Sequence, residues 1–285
     1  MSRVSATKTI PIQRRTPEGQ RHSIDDTVSI EEPLELRIRG QSIAITMRTP
    51  GHDPELAAGF AFTEGLIKQP QQLIEIAHCQ RGEAEHPENI INLFLEGSAS
   101  CNLEHLTRHV FASSSCGICG KASIEAIQKD WPPIESAFTT TEDTLLGIPH
   151  QLNQHQTQFQ QTGGLHAAAL VTQGGELVVV REDVGRHNAV DKVIGWGVLK
   201  PTFRFADHLL LVSGRASFEI MQKALAAGIP LVAAVSAPSS LAIDFAQTNR
   251  QTLVGFLRDA TFNIYSHPQR VLASASPQDE TSDQG

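Results

Sequence analysis

The feature that most restricts the fold is a set of short, almost uninterrupted apolar runs in the second half of the chain. These runs cover residues 165–171, 177–180, 208–212, 230–235 and 252–257. Strands that are buried on both faces of a sheet have this pattern. Three of the segments between them have the apolar spacing of helices, at residues 188–199, 218–227 and 240–248. The alternation predicts a mostly parallel, layered α/β domain.

The first half of the chain has a different pattern. Apolar and polar residues alternate over residues 33–49, which predicts a β-hairpin. Asp53 and Pro54 then supply an N-cap and a first-turn proline for a following helix. Further strands are predicted at residues 72–78 and 90–95. Together these elements form a small α+β unit.

A chain of 285 residues suits two unequal domains better than one small domain. We expect a flexible N-terminal segment (1–22), a small α+β domain (23–108), a large α/β domain (109–272) and a flexible tail (273–285). The Gln-rich stretch at 151–161 is interpreted as a solvated connection or an edge hairpin.

Charge and hydropathy exclude two classes of protein. The formal net charge of −8 argues against a protein that binds duplex nucleic acid, which needs a clustered excess of Lys and Arg. No apolar stretch is long enough for a membrane-spanning helix, and no apolar segment follows the basic N-terminus. We therefore expect a cytoplasmic protein with no membrane partner.

Two of the four cysteines form the most informative motif, Cys116-Gly117-Ile118-Cys119. Four cysteines are too few and too unevenly spaced for a disulfide framework, so we expect thiols. The glycines predict a tight loop, and the apolar spacing after it predicts a short helix. A helix N-terminus with Lys121 nearby favours the thiolate, lowering a Cys pKa from about 8.5 to roughly 3.5–7.5. A thiolate is the nucleophile that sulfur transfer needs.

Three other uses of the cysteine pair remain open. A structural zinc site needs four ligands, and the chain has one C-x-x-C pair; Cys79 and Cys101 lie in other predicted elements without ligand spacing. A thioredoxin-like dithiol normally follows a strand in an early β-α-β unit. Two inert buried thiols fit poorly with the neighbouring glycines and serines.

The zinc deaminase signature is absent. That chemistry needs His-x-Glu before Pro-Cys-x-x-Cys, where the glutamate moves the proton. Here His166 follows the cysteine pair, Ala168 occupies the position of the glutamate, and Ser115 occupies that of the proline. We expect no metal site.

A second candidate site lies where the predicted strands end. Arg186, His187, Asn188 and Lys192 begin a helix after one strand, and a helix N-terminus with two cations suits a pyrophosphate. Arg215 follows another strand and can reach the same edge of a parallel sheet. The alternative is an ordinary solvated helix start. His166, between small residues, is interpreted as a strand histidine, with an acid–base role near the sulfur as the alternative.

Several blocks of this sequence together carry a resemblance to a known family. They are residues 115–120, 163–168, 182–192, 213–215, 236–242 and 265–270. In this order, over about residues 33–270, the chain resembles the formate dehydrogenase accessory sulfurtransferase family. Several independent blocks make a chance match improbable.

The resemblance implies a function and a fold. It implies a persulfide on Cys116, received from a pyridoxal-phosphate cysteine desulfurase and passed to the bis(guanine dinucleotide) molybdenum cofactor of formate dehydrogenase, with Cys119 assisting. It also implies a cytidine-deaminase-like C-terminal domain without the zinc chemistry, and we expect a homodimer. The alternative is a protein that only carries the molybdenum cofactor or escorts the apo-enzyme.

The resemblance further places cofactor contacts on a stretch that closes the last core strand. Its residues are Phe256, Leu257, Arg258, Asp259, Ala260 and Thr261. Members of the family often have a glycine and a second basic residue there, whereas this chain has Arg258 beside Asp259. The stretch therefore offers one basic side chain, Arg258, for phosphate contacts.

Overall fold

The structure is a computed structural model that describes residues 5–80, 85–96, 131–258 and 260–274. Within this part of the chain, four-stranded and six-stranded sheets form with helices packed against them. The described fold is therefore a mixed α/β structure. No helix in these ranges is long and apolar enough to cross a membrane.

The chain begins with a two-stranded antiparallel ribbon, β1 (Thr7–Arg15) and β2 (Arg21–Ser29). Within the segment expected to be flexible, residues 7–15 form a strand. Ile12 faces Ile24 across the ribbon, and such cross-strand apolar pairs stabilise antiparallel strands. In the sequence, the spacing of Ile10 and Ile12 among polar residues was the pattern that indicated a strand here.

The N-terminal sheet confirms the predicted hairpin and strands. Its strand order is β4-β3-β6-β5, where β3 and β6 are parallel. The strands are β3 (Glu32–Ile38), β4 (Gln41–Arg48), β5 (Leu73–His78) and β6 (Ile90–Leu95). The hairpin turns through Arg39 and Gly40, both with positive φ (52° and 78°), as a tight two-residue turn requires.

Helix α1 (Asp53–Thr63) follows the hairpin, as predicted, but Asp53 is not its N-cap. The N-cap is His52, in a left-handed conformation with φ 59°. The Asp53 carboxylate instead accepts from Arg48 Nε (3.1 Å) and Nη2 (3.0 Å), and both side chains are buried. A buried arginine needs such a paired carboxylate, which takes precedence over capping.

The six-stranded sheet lies in the second half of the chain, in the order β13-β12-β11-β10-β8-β9. Its strands are β8 (His166–Thr172), β9 (Leu177–Asp183), β10 (His208–Val212), β11 (Leu231–Ala234), β12 (Thr252–Arg258) and β13 (Thr261–Ser266). Strands β10, β11 and β12 are parallel, whereas β8 and β13 run antiparallel to their neighbours. The prediction of a mostly parallel sheet is corrected to a mixed sheet. A parallel pair also joins β7 (Thr140–Thr141) to β14 (Val271–Leu272).

Helices cover both faces of this sheet. One face packs against α2 (Glu142–His155), through Leu145, Ile148 and Leu152. The other face packs against three helices, which are α4 (Arg186–Val198), α5 (Phe218–Ala226) and α6 (Ser240–Thr248). Both apolar layers are fully buried.

The Gln-rich stretch at 151–161 is helical, so its interpretation as a connection or an edge hairpin is wrong. It comprises the end of α2 and most of α3 (Thr157–Thr162). The Glu182 carboxylate accepts from the backbone N–H groups of Gln158 (3.0 Å) and Phe159 (2.8 Å) at the start of α3. Tertiary capping and packing thus outweigh the polar composition.

The two halves of the chain meet where α1 crosses α4. A Cβ on Gly195 would overlap the backbone carbonyl of Glu55, and one on Gly59 would overlap that of Asp191. Only glycine permits so close an approach of two helices. A single apolar core joins both halves, and the division at residues 108 and 109 remains a prediction.

Candidate functional site

The candidate site is the edge of the six-stranded sheet at which β9, β10, β11 and β12 have their carboxyl ends. Three helices begin at this edge, with Gly185, Ser217 and Ser239 as their N-caps. Ser239 caps its helix through Ala242 N–H (3.2 Å), whereas Gly185 and Ser217 provide no side-chain cap. First-turn N–H groups carry partial positive charge, so the edge favours an anion.

Two arginines and a histidine lie at this edge, where His166 begins β8, Arg186 begins α4 and Arg215 follows β10. Burial of the His166 imidazole lowers its pKa, and the nearby charges of Arg186 and Arg215 lower it further against the opposing charge of Asp183. A Cβ on Gly214 would lie 3.4 Å from His166 Nδ1, so a glycine keeps the backbone close to the ring. His166 is therefore neutral at pH 7 beside two cations.

Two polar atoms at the start of α4 lack a hydrogen-bond partner among the described residues. They are Arg186 Nε and His187 Nε2, and both are buried. Glu219 Oε2 lies 3.9 Å from His187 Nε2, too far for a hydrogen bond. Burial, together with Arg186 and Lys223, lowers the pKa of His187 to about 4. Buried polar atoms without partners are rare, so these two donors are available to an acceptor from outside the described residues.

Lys192 and Asn188 are buried and not exposed at this edge, which corrects their interpretation as ligand contacts. The Lys192 side chain is 1% exposed, with Nζ 2.7 Å from Asp183 Oδ2 and 2.9 Å from the Thr49 carbonyl. Asn188 Nδ2 donates to Asp183 Oδ1 (3.0 Å). Lys192 lies six residues after Arg186 in a helix of ~3.6 residues per turn, so it faces the interior.

The stretch predicted to contact the cofactor ends β12 at the same edge. Phe256 has a left-handed backbone, φ 52°, and its N–H donates to the Ser236 carbonyl (3.1 Å). The ladder between β12 and β13 shifts register between Gly255 and Arg258. The Leu257 side chain is fully buried, so only its backbone can meet a ligand. Strained backbone in a non-glycine residue often marks a functional site.

Arg258, Ala260 and Thr261 are exposed at the turn that joins β12 to β13. Arg258 pairs with Thr261 across this turn, and its guanidinium lies 5.9 Å from the centre of the Phe256 ring. Asp259 lies outside the described residues. The stretch can therefore offer one exposed cation, backbone groups and a hydroxyl.

Cys101, Cys116 and Cys119 also lie outside the described residues, which resume at Trp131. The Trp131 ring packs 6.2 Å from that of Phe62. Ile134 N–H donates to the Asn249 carbonyl (2.9 Å), at the amino edge of the sheet. Among the described residues, no three His, Cys, Asp or Glu side chains are placed to hold a metal ion.

A buried charge cluster beneath the edge was not predicted. Lys223 Nζ lies 2.9 Å from both Asp191 Oδ2 and Glu64 Oε1, and Thr63 Oγ1 lies 2.8 Å from Asp191 Oδ1. Burial raises the pKa of Asp191 to about 6. Against the desolvation of the ammonium, Asp191 and Glu64 raise the pKa of Lys223. In the sequence, Asp191 and Lys223 stand at helix positions that face the core, and this was the pattern that could have predicted the cluster.

Comparison with known proteins gives a consistent result. The family described as the FdhD/NarQ family matches residues 29–272. A protein of Mycolicibacterium paratuberculosis named sulfur carrier protein FdhD is 47% identical, covering 89% of this chain and 94% of its own. One of the same name from Streptomyces coelicolor is 45% identical, covering 92% and 95%. The crystal structure of a proposed formate dehydrogenase accessory protein from Desulfotalea psychrophila matches with a TM-score of 0.75 and 25% identity, covering 94% of this chain and 100% of its own.

Proposed function

The chain belongs to the FdhD/NarQ family, and from this premise we propose that it is a sulfur carrier that matures formate dehydrogenase. Its relatives at 41–47% identity carry the name sulfur carrier protein FdhD. In this proposal Cys116 accepts sulfur from a pyridoxal-phosphate cysteine desulfurase. The terminal sulfur then passes to the bis(guanine dinucleotide) molybdenum cofactor, which is the substrate of the transfer.

The loading step needs only an accessible thiolate. The Cys116 thiolate attacks the outer sulfur of the desulfurase persulfide, forms a new S–S bond and displaces the desulfurase cysteine as a thiolate. No net oxidation occurs, because the sulfane sulfur moves from one thiol to another. A lowered thiol pKa increases the thiolate fraction that can react.

The delivery step needs two electrons, which the second cysteine can supply. Attack of the Cys119 thiolate on the Cys116 sulfur forms a disulfide and releases the terminal sulfur as sulfide for the metal. A thiol reductant must then supply two electrons by thiol–disulfide exchange to restore both thiols. This role for Cys119 predicts that one disulfide forms for each sulfur delivered.

The observation that carries the proposal is the group of cations at the carboxyl edge. The charges of Arg186 and Arg215 both act on the neutral His166, and Arg186 Nε is buried without a partner among the described residues. Two uncapped helix starts add N–H groups. A pyrophosphate presents acceptor oxygens and negative charge that match this set. We propose that a guanine dinucleotide half of the cofactor places its pyrophosphate here.

The residues from Phe256 to Thr261 extend the same proposal. Arg258 is exposed and supplies a further cation, and the left-handed Phe256 turns the chain at the edge.

Trp131 follows Cys119 by twelve residues, so the cysteine pair can lie up to ~40 Å from it. That reach extends across a sheet whose longest strands, of seven residues, are about 23 Å long.

Mass spectrometry after incubation with a cysteine desulfurase and cysteine tests the proposal. We expect one added sulfur on the peptide that carries Cys116, and none in Cys116→Ala. Formate dehydrogenase in cells with Cys116→Ala should be inactive. Normal activity would instead favour the second candidate, a protein that carries the cofactor without transferring sulfur.

Fold and assembly details belong to the same proposal. A cytidine-deaminase-like layering is supported by a mixed sheet with helices on both faces. We propose a homodimer in the cytoplasm. Light scattering coupled to size-exclusion chromatography measures the mass, and a mass near 31.0 kDa would contradict the dimer.

A further inference from the structure

We propose that Asp183 and Asn188 are positioning residues that let the N-terminal sheet hold the anion-binding start of α4 in place. The inference rests on the proposed cofactor site at the carboxyl edge. It assigns a role to side chains that cannot touch the ligand themselves. In this proposal, the docking of strand β4 against α4 increases the affinity of that edge for a phosphate.

Asp183 ends β9 and is fully buried. Its Oδ1 accepts from Gly185 N–H (2.8 Å), and its Oδ2 accepts from Thr49 N–H (3.2 Å) and pairs with Lys192 Nζ (2.7 Å). One carboxylate thus binds the residue before α4, the interior of α4 and the segment after β4. Such a fully paired buried carboxylate fixes the geometry of the groups around it.

Asn188 makes the second connection, from the first turn of α4 to strand β4. Its Nδ2 donates to the Met47 carbonyl (2.7 Å) and to Asp183 Oδ1 (3.0 Å), and its Oδ1 accepts from Thr46 Oγ1 (3.0 Å). Two of these partners belong to β4, and the third is the buried carboxylate that ends β9. The amide is therefore fully used in docking.

The segment between these two residues has little to hold it in place otherwise. Gly185 provides no side-chain cap, and Val184 N–H donates to Thr49 Oγ1 (3.1 Å). A Cβ on Gly185 would lie 2.8 Å from Asn188 Nδ2, so the glycine allows the amide its position. The direction of Arg186 and His187 therefore depends on contacts with the N-terminal sheet.

Linkage makes this arrangement reciprocal. If docking of β4 increases the affinity of the edge for an anion, anion binding must strengthen that docking by the same factor. A merely structural network lacks this property, because its loss lowers stability and leaves the geometry of the bound state unchanged. A double-mutant cycle with the arginine that meets the anion separates the two cases.

The experiment titrates the full-length protein with guanosine diphosphate by calorimetry at fixed ionic strength. We expect Asn188→Ala to weaken binding about tenfold and the isosteric Thr46→Val about threefold, with Arg186→Gln weakening it at least tenfold. In the Arg186→Gln background, Asn188→Ala should add less than about twofold, because the helix start no longer presents the guanidinium.

Ser266→Ala is the matched control. Its buried hydroxyl lies 2.7 Å from the Gln251 carbonyl and 3.0 Å from Leu253 N, away from the edge. Its melting temperature should fall as that of Asn188→Ala does, with nucleotide affinity within about twofold of wild type. Wild-type affinity in Asn188→Ala, or additive losses with Arg186→Gln, would overturn the positioning role while the cofactor site stands. Failure of the wild-type protein to bind the nucleotide would overturn the edge site and this inference with it.

Discussion

Asp191 and Lys223 form a buried pair, with 2.9 Å between Oδ2 and Nζ, in a cluster to which Glu64 adds a second carboxylate. The pKa of Asp191 is about 6 in the folded protein, raised from 3.8 by burial. Between these values the folded state binds a proton that the unfolded state has released. The contribution of Asp191 to stability is therefore fully present below about pH 4 and is lost as the pH rises to about 6.

The first prediction compares Asp191→Asn with wild type in urea unfolding at pH 4 to 7. The asparagine does not titrate, so the stability of wild type relative to the variant should fall by up to about 3 kcal/mol across this window. A stability difference that stays constant with pH would contradict the raised pKa. Asp244→Asn, at an exposed position in α6, is the control and should show no such change.

The second prediction concerns the glycine contact between α1 and α4. Gly195→Ala should lower the free energy of unfolding by about 3 kcal/mol or more, because its Cβ meets backbone that cannot move aside. Gly147→Ala, in α2 with nothing within 4 Å of the added Cβ, should be neutral or stabilising by up to about 1 kcal/mol. Urea unfolding measures both, and equal effects would mean that the helices can separate at little cost.

A third prediction addresses the exposed Arg258. Arg258→Ala should weaken guanosine diphosphate binding at least tenfold if its guanidinium meets a phosphate, a contact of about 1.5–3 kcal/mol. Sulfur loading of Cys116 should be unchanged, because that step needs only the thiolate. Arg204→Ala removes the same charge at the amino edge, where Arg204 is 76% exposed, and should leave nucleotide binding intact. Equal losses in the two variants would indicate an effect of net charge.

The fourth prediction tests the metal alternative. A Cys79→Ser, Cys101→Ser double variant should retain sulfur transfer to the cofactor, because transfer uses the other pair. Transfer is measured as formate dehydrogenase activity in reconstituted extracts, and zinc by elemental analysis of purified protein. Severe loss of transfer by a folded double variant, or stoichiometric zinc in wild type, would revive the four-ligand site.

Much of the fold could be read from local pattern, and the exceptions share a cause. The strand His208–Val212 and the helix Ser240–Thr248 match their predicted bounds, because continuous burial and apolar spacing are recorded residue by residue. The helices over the Gln-rich stretch depend on contacts with distant residues, such as Glu182 with the start of α3. Long-range partners leave no local periodicity.

The site was predictable in part for the same reason. Arg186 and Arg215 do lie at one edge, because carboxyl strand ends and helix starts meet there in any such sheet. Lys192 was misassigned, since its burial depends on Asp183, nine residues before it. The unpartnered state of Arg186 Nε within the described residues could be seen only in three dimensions.

The crossing at Gly59 and Gly195 also limits how this protein can diverge. Contacts between side chains can drift, because a larger residue on one surface can be matched by a smaller one on the other. Here each glycine lies against backbone carbonyls, which no substitution can shorten. A larger residue at either glycine cannot be compensated by a change on the facing helix. Homologous proteins that keep this crossing must therefore keep both glycines and the angle between α1 and α4.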